Sequence, residues 1–292
     1  MRGLRLFAFT LSLLPWLACA ATLPSPTSLP ITAEITGTGT TDLVLVPGLS
    51  GGDVSWQETA VRLSDRYRVH RLRIAGLEGP VGDAPAPSSI GAVAEALTSY
   101  IQRNSSRPVM LVGHSAGGVA ALMATLRQPD LVARVIIVDA LPFMSANRGS
   151  TSVDEELRGK VGAEVRDMRA EDAAAFEKRM QAQASSAVGD PDTAARIAQG
   201  GARSHRDTYA ALYESLSTTD LRAEVASLRP PLTVIFADQS PLGAPAGYMA
   251  RRYREQYASS RATLVEVTDA RHYLMLDQPR EFAEALDAAL MD

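Results

Sequence analysis

Short apolar runs alternate with longer amphipathic stretches along most of the chain after residue 30. The runs are rich in β-branched residues, and four are apolar throughout, as expected for strands buried on both faces of a parallel sheet. The predicted strands are residues 31–35, 43–46, 68–74, 109–112, 135–138, 232–236 and 263–267. Residues 37–41, rich in Gly and Thr, predict a hairpin between the first two strands.

Helical patterns fill the intervals between these strands. The predicted helices are residues 90–102, 116–127, 248–257 and 281–291. Strands that alternate with helices indicate an α/β fold, in which helices cover both faces of one mostly parallel sheet.

One long interval breaks the alternation. Residues 150–225 contain no convincing strand but are rich in Ala, Glu, Arg and Met. Residues 155–180 and 209–217 predict amphipathic helices, and the Gly-Asp-Pro-Asp sequence at 189–192 predicts a turn. We therefore expect a helical insertion over a core formed by residues 31–149 and 226–292.

The first twenty residues have the composition of a secretory signal peptide. Arg2 and Arg5 precede an apolar run at residues 6–17, and the small residues Ala18 and Ala20 follow. We expect residues 1–20 to be removed and the protein to be periplasmic or secreted. An N-terminal membrane anchor and a lipoprotein attached at Cys19 are the alternatives. Residues 21–30, rich in Pro, Ser and Thr, predict an extended lead-in.

The composition narrows the functional classes. With 46% hydrophobic and 21% charged residues, the chain has an ordinary globular balance. Its formal net charge of -4 argues against a nucleic-acid partner. Cys19 is the only cysteine, so cleavage after Ala20 leaves no disulfide, thiol nucleophile or thiolate zinc site. The chain has no metal-ligand spacing or phosphate-binding glycine loop, so we expect no metal and no cofactor. The composition gives no signal for an oligomeric state.

The sequence Gly-His-Ser-Ala-Gly at residues 113–117 carries the main chemical signal. It follows a predicted strand and precedes an Ala-rich predicted helix, which is the context of a G-x-S-x-G nucleophile elbow. Side chains at Gly113 and Gly117 would collide with neighbouring strands on such a turn. Ser115 is therefore the candidate nucleophile, and the amides that begin the following helix would face a developing oxyanion.

On this motif the chain resembles the α/β-hydrolase family from about Ile31 to its C-terminus. The resemblance implies a hydrolase sheet with a helical cap inserted after the sixth strand. Residues 45–49 look like the family's oxyanion loop, although Pro47 stands where a histidine is usual. Because the family's donor there is a backbone amide, the resemblance implies an oxyanion hole formed by the Leu49 and Ala116 amides.

Four histidines are candidates for the base that activates Ser115. His70 lies in a predicted strand, His205 lies in the insertion, and His114 is expected to pack beside the elbow. His272 follows the last predicted strand, and residues 269–273 are similar to the family's histidine motif. The order of serine early and histidine late is also that of the family. His272 is therefore the predicted base.

Two aspartates are candidates for the acid that orients His272. The family usually carries its acid three or four residues beyond the strand at 232–236, but Ser240 stands there. Asp238 lies two residues earlier. Asp139 directly follows the strand at 135–138, from which some members of the family take their acid. Asp139 is preferred, with Asp238 as the alternative acid.

Together these residues predict acyl transfer to water through an acyl-enzyme intermediate, with a small-molecule ester, thioester or related acyl compound as substrate. Met144, Met168, Met180 and Tyr209 could line an apolar acyl pocket, although core packing of the insertion is the favoured interpretation for each. Two alternatives remain. Pro47 and the displaced acid are consistent with a binding or scaffold protein without turnover, and the same fold is also compatible with a cofactor-free haloperoxidase or lyase.

Overall fold

The computed structural model of the protein describes residues 29–79 and 85–291. The predicted signal peptide at residues 1–20, and residues 21–28 of the predicted lead-in, lie outside the described residues. Their assignment therefore stays a prediction from the sequence.

The described residues form one sheet of seven strands: β1 (Ile31–Thr36), β2 (Asp42–Val46), β3 (Arg68–Ile74), β4 (Val109–His114), β5 (Val132–Val138), β6 (Leu232–Ala237) and β7 (Thr263–Val267). The order of the strands in the sheet is β1-β3-β2-β4-β5-β6-β7. Six strands are parallel to one another, and β1 alone is antiparallel to its neighbour. The central strands are apolar because both of their faces are buried, as in other parallel sheets covered by helices.

The predicted hairpin between β1 and β2 is wrong. β1 pairs antiparallel with β3, whereas β2 lies between β3 and β4. Residues 43–46 of β2 are completely buried, and a position with a strand on each side suits such an apolar run. β1 exposes Glu34 and Ile35, which a strand at the edge of the sheet tolerates.

Helices cover the sheet, and their bounds agree closely with the predicted ones. Ser89 begins one of them by accepting a hydrogen bond from the Ala92 amide at 3.0 Å, which is a regular N-cap. None of the helices in residues 29–79 and 85–291 is both long and apolar enough to cross a membrane. Those that pack on the core are α1 (Gly52–Ser55), α2 (Gln57–Leu63), α3 (Ile90–Asn104), α4 (Ala116–Arg127), α9 (Tyr248–Gln256), α10 (Leu274–Asp277) and α11 (Pro279–Met291).

The predicted insertion is helical, and here it is called the cap: α5 (Glu155–Ala170), α6 (Ala173–Ala187), α7 (Pro191–Ala202) and α8 (Arg206–Ser217). It follows the fifth strand of the described sheet and not the sixth, because seven strands are present and the cap lies between β5 and β6.

Aspartate N-caps begin three of the four cap helices, α5, α6 and α7. The single helix predicted for residues 155–180 is divided into α5 and α6, because the Asp172 carboxylate accepts from the Ala175 amide at 2.8 Å and starts a new helix. The predicted turn at 189–192 begins α7 in the same way, with Asp190 as N-cap and Pro191 in the first turn.

Candidate active site

The parallel strands bring the candidate residues to one edge of the sheet. Ser115 follows β4, Asp139 follows β5, and the loop of residues 47–51, here called the β2 loop, follows β2. His272 lies five residues beyond the end of β7. Because the carboxyl ends of parallel strands meet at the same edge, residues far apart in the chain converge there, as ligand sites of open α/β sheets do.

Ser115 occupies a strained turn between β4 and α4. Its φ is 53° and its ψ is -124°, a conformation that non-glycine residues rarely adopt. The turn is held by a hydrogen bond from the Ser115 amide to the Val138 carbonyl at 3.0 Å. Strain of this kind persists where the surrounding structure over-determines it, and it raises the serine above the sheet edge.

The glycines around the serine are required by close backbone contacts. A Cβ at Gly113 would lie 2.4 Å from the Gly117 carbonyl oxygen, and a Cβ at Gly117 would lie 2.3 Å from the Pro47 carbonyl oxygen. Real Cβ atoms do not approach backbone oxygens so closely. The collisions expected from the sequence are therefore present, and one of them is with the β2 loop.

His272 is paired with Asp139. The His272 Nδ1 atom lies 2.7 Å from Asp139 Oδ2, and the aspartate is 3% exposed. The other carboxylate oxygen, Oδ1, accepts hydrogen bonds from the Tyr253 hydroxyl at 2.9 Å and from the Ala237 amide at 3.1 Å. Because Nδ1 faces the carboxylate, Nε2 of the imidazole is left as the nitrogen for proton transfer.

Asp238 is engaged elsewhere. Its Oδ1 accepts from the Ser240 amide at 3.1 Å and from the Ala270 amide at 3.3 Å. Partial burial alone would raise the pKa of Asp238, but the hydrogen bonds from Ser240, Asp269 and Ala270 lower it below its ordinary value. Asp238 thus shapes the segment before His272, whereas Asp139 contacts the imidazole itself.

Ser115 and His272 line the same pocket. Among the described residues no hydrogen bond joins the Ser115 hydroxyl to the His272 ring. Hydrogen bonds of this type are often long or misaligned without substrate and shorten in the substrate complex. The pocket therefore contains a serine hydroxyl and an imidazole that is paired with a buried carboxylate.

Two free amides lie at the same place. Among the described residues, neither the Leu49 N–H nor the Ala116 N–H donates a hydrogen bond to a protein acceptor. Ala116 is the first residue of α4, so its amide has no partner within the helix. The position of Pro47 leaves the Leu49 amide intact, because the proline removes only its own N–H.

Tyr273, the neighbour of His272, connects the histidine segment to the β2 loop. Its hydroxyl donates to the Ser50 carbonyl oxygen at 2.8 Å, and the Ser50 hydroxyl lies 3.3 Å away. The Tyr273 amide donates to the Ala187 carbonyl of α6 at 2.9 Å. Burial raises the pKa of Tyr273, so this hydroxyl stays a neutral donor.

His114 is packed beneath the site, as the sequence predicted. It is fully buried, and its Nε2 lies 3.0 Å from the His272 carbonyl oxygen. The centroids of the His114 and His272 rings are 4.6 Å apart. Burial lowers the pKa of His114 well below its ordinary value, and the nearby His272 lowers it further. A neutral His114 therefore donates from Nε2 and holds the backbone of the histidine segment.

The other two histidines lie away from Ser115. His70 is buried, with Nδ1 2.8 Å from the Tyr100 hydroxyl and Nε2 3.1 Å from Asp42 Oδ1. His205 precedes α8, and its Nδ1 lies 3.1 Å from the Thr208 hydroxyl. Neither residue lines the pocket of Ser115 and His272.

The pocket is a cavity of about 340 Å³ between the sheet edge and the cap. Tyr209 lines it, and its hydroxyl donates to Gln183 Oε1 at 2.9 Å. The remaining lining residues mix apolar and hydroxyl side chains: Leu49, Ser50, Ala184, Ser186, Ala187, Ile197, Tyr213, Leu216, Leu242 and Tyr273.

The three methionines proposed from the sequence as pocket residues do not line this pocket. Met168 and Met180 are 1% and 2% exposed, and they pack in the core of the cap. Met144 is partly buried, with its sulfur 3.4 Å from the Leu141 amide. Met168 and Met180 thus lie on the buried faces of α5 and α6, which is the packing role considered above, whereas Met144 precedes the cap.

Sequence reasoning missed several residues of the site. Tyr253 supports Asp139 from α9, a helix in which the sequence carries no sign of a role in the site. Tyr273 stands next to the predicted base, so its position gave a signal that was not used. Gln183, Tyr213 and Leu242 enter the pocket only through the three-dimensional arrangement of the cap and the loop after β6.

Comparison with known proteins extends this description. A sequence model described as "Alpha/beta hydrolase family" matches residues 43–285. A pimeloyl-[acyl-carrier protein] methyl ester esterase of Vibrio cholerae is 34% identical over 113 residues, which cover 39% of this chain and 42% of that protein. A putative carbamate hydrolase RutD of Agrobacterium fabrum is 28% identical over 124 residues, 42% of this chain and 48% of the relative. The chain thus spans less than half the length of the curated relatives it matches.

Solved structures share the fold over nearly the whole chain. A hydrolase from Pseudomonas aeruginosa PA01 has a TM-score of 0.72 at 17% identity, with 90% of this chain and 94% of that chain covered. A thermophilic esterase from Thermogutta terrifontis has a TM-score of 0.72 at 19% identity, covering 89% and 93%. At these identities the likeness concerns the fold.

Proposed function

Because the chain belongs to the α/β-hydrolase family, we propose that it is a serine hydrolase that cleaves an ester or thioester through an acyl-enzyme intermediate. The observation that carries the proposal is the pairing of His272 with Asp139 at 2.7 Å, in the pocket that Ser115 also lines. The curated relatives named for ester and carbamate hydrolysis support an acyl substrate.

In the first half-reaction, Ser115 Oγ attacks the carbonyl carbon while His272 Nε2 takes the hydroxyl proton. The imidazolium then gives this proton to the leaving alcohol or thiol as the acyl-enzyme forms. In the second half, water attacks the acyl carbon, His272 again accepts a proton, and Ser115 Oγ leaves with it. One bond to the acyl carbon forms and one breaks in each half.

The surrounding residues stabilise the charges that develop. Asp139 fixes the imidazole with Nδ1 protonated and stabilises the imidazolium. The free amides of Leu49 and Ala116 would donate to the oxyanion, an arrangement that typically supplies a large share of the rate enhancement. Tyr273 supports both groups, since it follows His272 and its hydroxyl bonds to Ser50 beside Leu49.

The dimensions of the pocket favour a compact substrate. Its volume of about 340 Å³ lies near the lower end of the range for small-molecule sites. Apolar residues suit a short acyl chain, and the Tyr209, Tyr213 and Gln183 side chains suit a polar group on it. From the N-terminal composition we further propose that the enzyme is exported.

Labelling with a fluorophosphonate tests the proposal. We expect wild-type protein to gain one covalent adduct at Ser115, and Ser115→Ala to gain none. A panel of p-nitrophenyl esters should then show turnover that is highest for short acyl chains and absent in Ser115→Ala. An unlabelled Ser115 in folded protein would favour a scaffold. A labelled serine without ester turnover, but with activity in a peroxidase or lyase assay, would favour the non-hydrolytic alternative.

A further inference from the structure

A half-buried glutamate, Glu78, contacts the backbone at the end of the β2 loop. The Glu78 side chain, in the segment after β3, accepts a hydrogen bond from the Asp53 amide at Oε2, 3.1 Å away. The amides of Gly51 and Gly52 also face this carboxylate. Burial raises the pKa of Glu78 above its ordinary value, against the effect of these amide hydrogen bonds.

The same glutamate contacts the cap. A Cβ at Gly200 of α7 would lie 2.9 Å from Glu78 Oε1, so helix and carboxylate are in close contact. The Glu78 amide donates to the Ser204 hydroxyl at 2.9 Å, and the His205 amide donates to the Gly76 carbonyl at 2.9 Å. The segment around Glu78 therefore lies between the β2 loop and the cap and is bonded to both.

The backbone of Glu78 gives an independent reason to look for a role. Its φ is 56°, in the left-handed region that glycine adopts without strain and other residues seldom adopt. A glycine would suit the backbone better, yet a half-buried carboxylate stands there. Its contacts, and not the local conformation, account for this placement.

On these contacts we propose that Glu78 is a positioning residue: it holds the β2 loop, and with it the Leu49 amide, in the geometry needed to stabilise an oxyanion. Tyr273 bonds the loop at Ser50, and a Cβ at Gly51 would lie 2.8 Å from its hydroxyl. Glu78 accepts from the amides that directly follow Ser50, those of Gly51, Gly52 and Asp53. The catalytic consequence rests on the proposed hydrolase function, whereas the structural consequence for the loop does not.

Two variants separate the side chain from the backbone strain. Glu78→Gln keeps the size and an acceptor oxygen but removes the charge. Glu78→Gly removes every contact of the side chain while relieving the strained φ, so folding is preserved better than with other truncations. Glu58→Gln, which changes an exposed carboxylate on the nearby helix α2, is the matched control.

Hydrogen–deuterium exchange tests the loop without requiring activity. In Glu78→Gly we expect the amides of residues 51–53 to exchange at least about tenfold faster, because the acceptor is gone. Glu78→Gln should fall between this variant and wild type, and Glu58→Gln should match wild type. Unchanged protection of residues 51–53 in Glu78→Gly would overturn the proposal, whatever the enzyme's substrate.

The catalytic effect is measured as the ratio of kcat for an ester to kcat for its thionoester. Sulfur accepts hydrogen bonds poorly, so this ratio reports on the amide donors. We expect Glu78→Gly to lower ester kcat by about 10- to 100-fold with KM little changed, less than the loss of an entire donor, and to lower the ratio. Glu78→Gln should restore part of the ester kcat and part of the ratio.

A lower unfolding temperature with an unchanged ratio of ester kcat to thionoester kcat would overturn a positioning role. An inactive wild-type protein would refute the hydrolase function, and the exchange data would still decide the role of Glu78.

Discussion

Asp139 and His272, 133 residues apart in the sequence, meet at 2.7 Å between carboxylate and imidazole. The acid side chain is almost fully buried, and three groups surround it: the imidazole, the Tyr253 hydroxyl and the Ala237 amide. Buried carboxylates require such partners, since an unpaired charge in the interior is strongly unfavourable. Asp139, and not Asp238, is thus the partner of His272 in the structure.

Substitution of each aspartate by asparagine tests this assignment. Asp139→Asn should lower kcat by about 10⁴-fold, because an amide can no longer select the correct tautomer or stabilise the imidazolium. Asp238→Asn is the matched control and should change kcat little. Ester hydrolysis by the two variants provides the measurement. An inactive Asp238→Asn beside an active Asp139→Asn would reverse the assignment.

The Tyr253 hydroxyl is predicted to support the acid. Tyr253→Phe keeps the ring stacked on Phe236, with centroids 4.2 Å apart, but removes one hydrogen bond to the Asp139 carboxylate. Because hydrogen bonds to charged groups contribute about 1.5–3 kcal/mol, we expect a loss of this order in unfolding free energy and a lower kcat.

Tyr257→Phe is the control for this variant, since the Tyr257 hydroxyl is also buried but donates to the Ala140 carbonyl at 2.8 Å. It should lose stability while keeping kcat near the wild-type value. Urea unfolding and ester kinetics measure the two effects. Equal losses of kcat in both variants would contradict a specific role for Tyr253.

Two glycine-to-alanine changes are predicted to have opposite effects. Gly117→Ala places a Cβ 2.3 Å from the Pro47 carbonyl oxygen, so the elbow and the β2 loop must move apart. We expect the free energy of unfolding to fall by several kcal/mol, roughly the upper range for point substitutions, together with loss of activity.

Gly159→Ala adds a Cβ in the exposed part of α5, where it meets no atom within 4 Å. Urea unfolding of this variant should show a free energy of unfolding that is higher by about 0.5–1 kcal/mol, because alanine favours the helix more than glycine does. Wild-type activity in Gly117→Ala would refute the close packing at the elbow.

Stability is predicted to fall in mild acid because of buried histidines. Burial lowers the pKa of His70 below its ordinary value of 6.5, although the hydrogen bond with Asp42 acts the other way. The unfolded state then binds a proton that the folded state does not. The contribution of His70 to the free energy of unfolding is therefore fully present above about pH 6.5. It is lost as the pH falls from there toward the pKa of His70 in the folded state. The pKa of His114 is lowered in the same direction, whereas the raised pKa of Glu78 adds stability as the pH falls.

Urea unfolding at pH 7.5 and pH 5.5 measures this effect. A single histidine that stays neutral in the folded state lowers the free energy of unfolding by up to about 1.4 kcal/mol between pH 7.5 and pH 5.5. His70→Gln should reduce the loss seen in wild type by as much as this amount, and His205→Gln, at an exposed position, should leave it unchanged. Identical pH dependence in wild type and His70→Gln would contradict the prediction.

Local signals were sufficient for much of the fold and for the selection of a candidate nucleophile. The central strands are apolar at every position because helices cover both faces of the sheet. A run of a few apolar residues is therefore enough to identify each strand. Ser115 was found because the elbow needs Gly113 and Gly117 within two positions of it. His272 was found because it is placed after the last strand, a position that the chain order alone defines.

The features that were missed depend on distant partners. The strand that pairs with β1 depends on which strands lie in the interior of the complete sheet. The sequence of residues 31–46 alone does not contain this information. The preference for Asp139 became decisive only with Tyr253 and Ala237 in place around it. Met168 and Met180 have the same helical spacing whether they face a ligand or another helix, so periodicity could not distinguish the two.

The placement of the carboxylate on β5 has a consequence for the segment that follows β6. Residues 240–247, with the open glycines Gly243 and Gly247, carry Leu242, half exposed, to the mouth of the pocket. Because Asp139 follows another strand, insertions or exchanges in this segment can alter which molecules enter without displacing the Asp139–His272 pair. This makes it a natural place for substrate range to diversify and a practical starting point for library design.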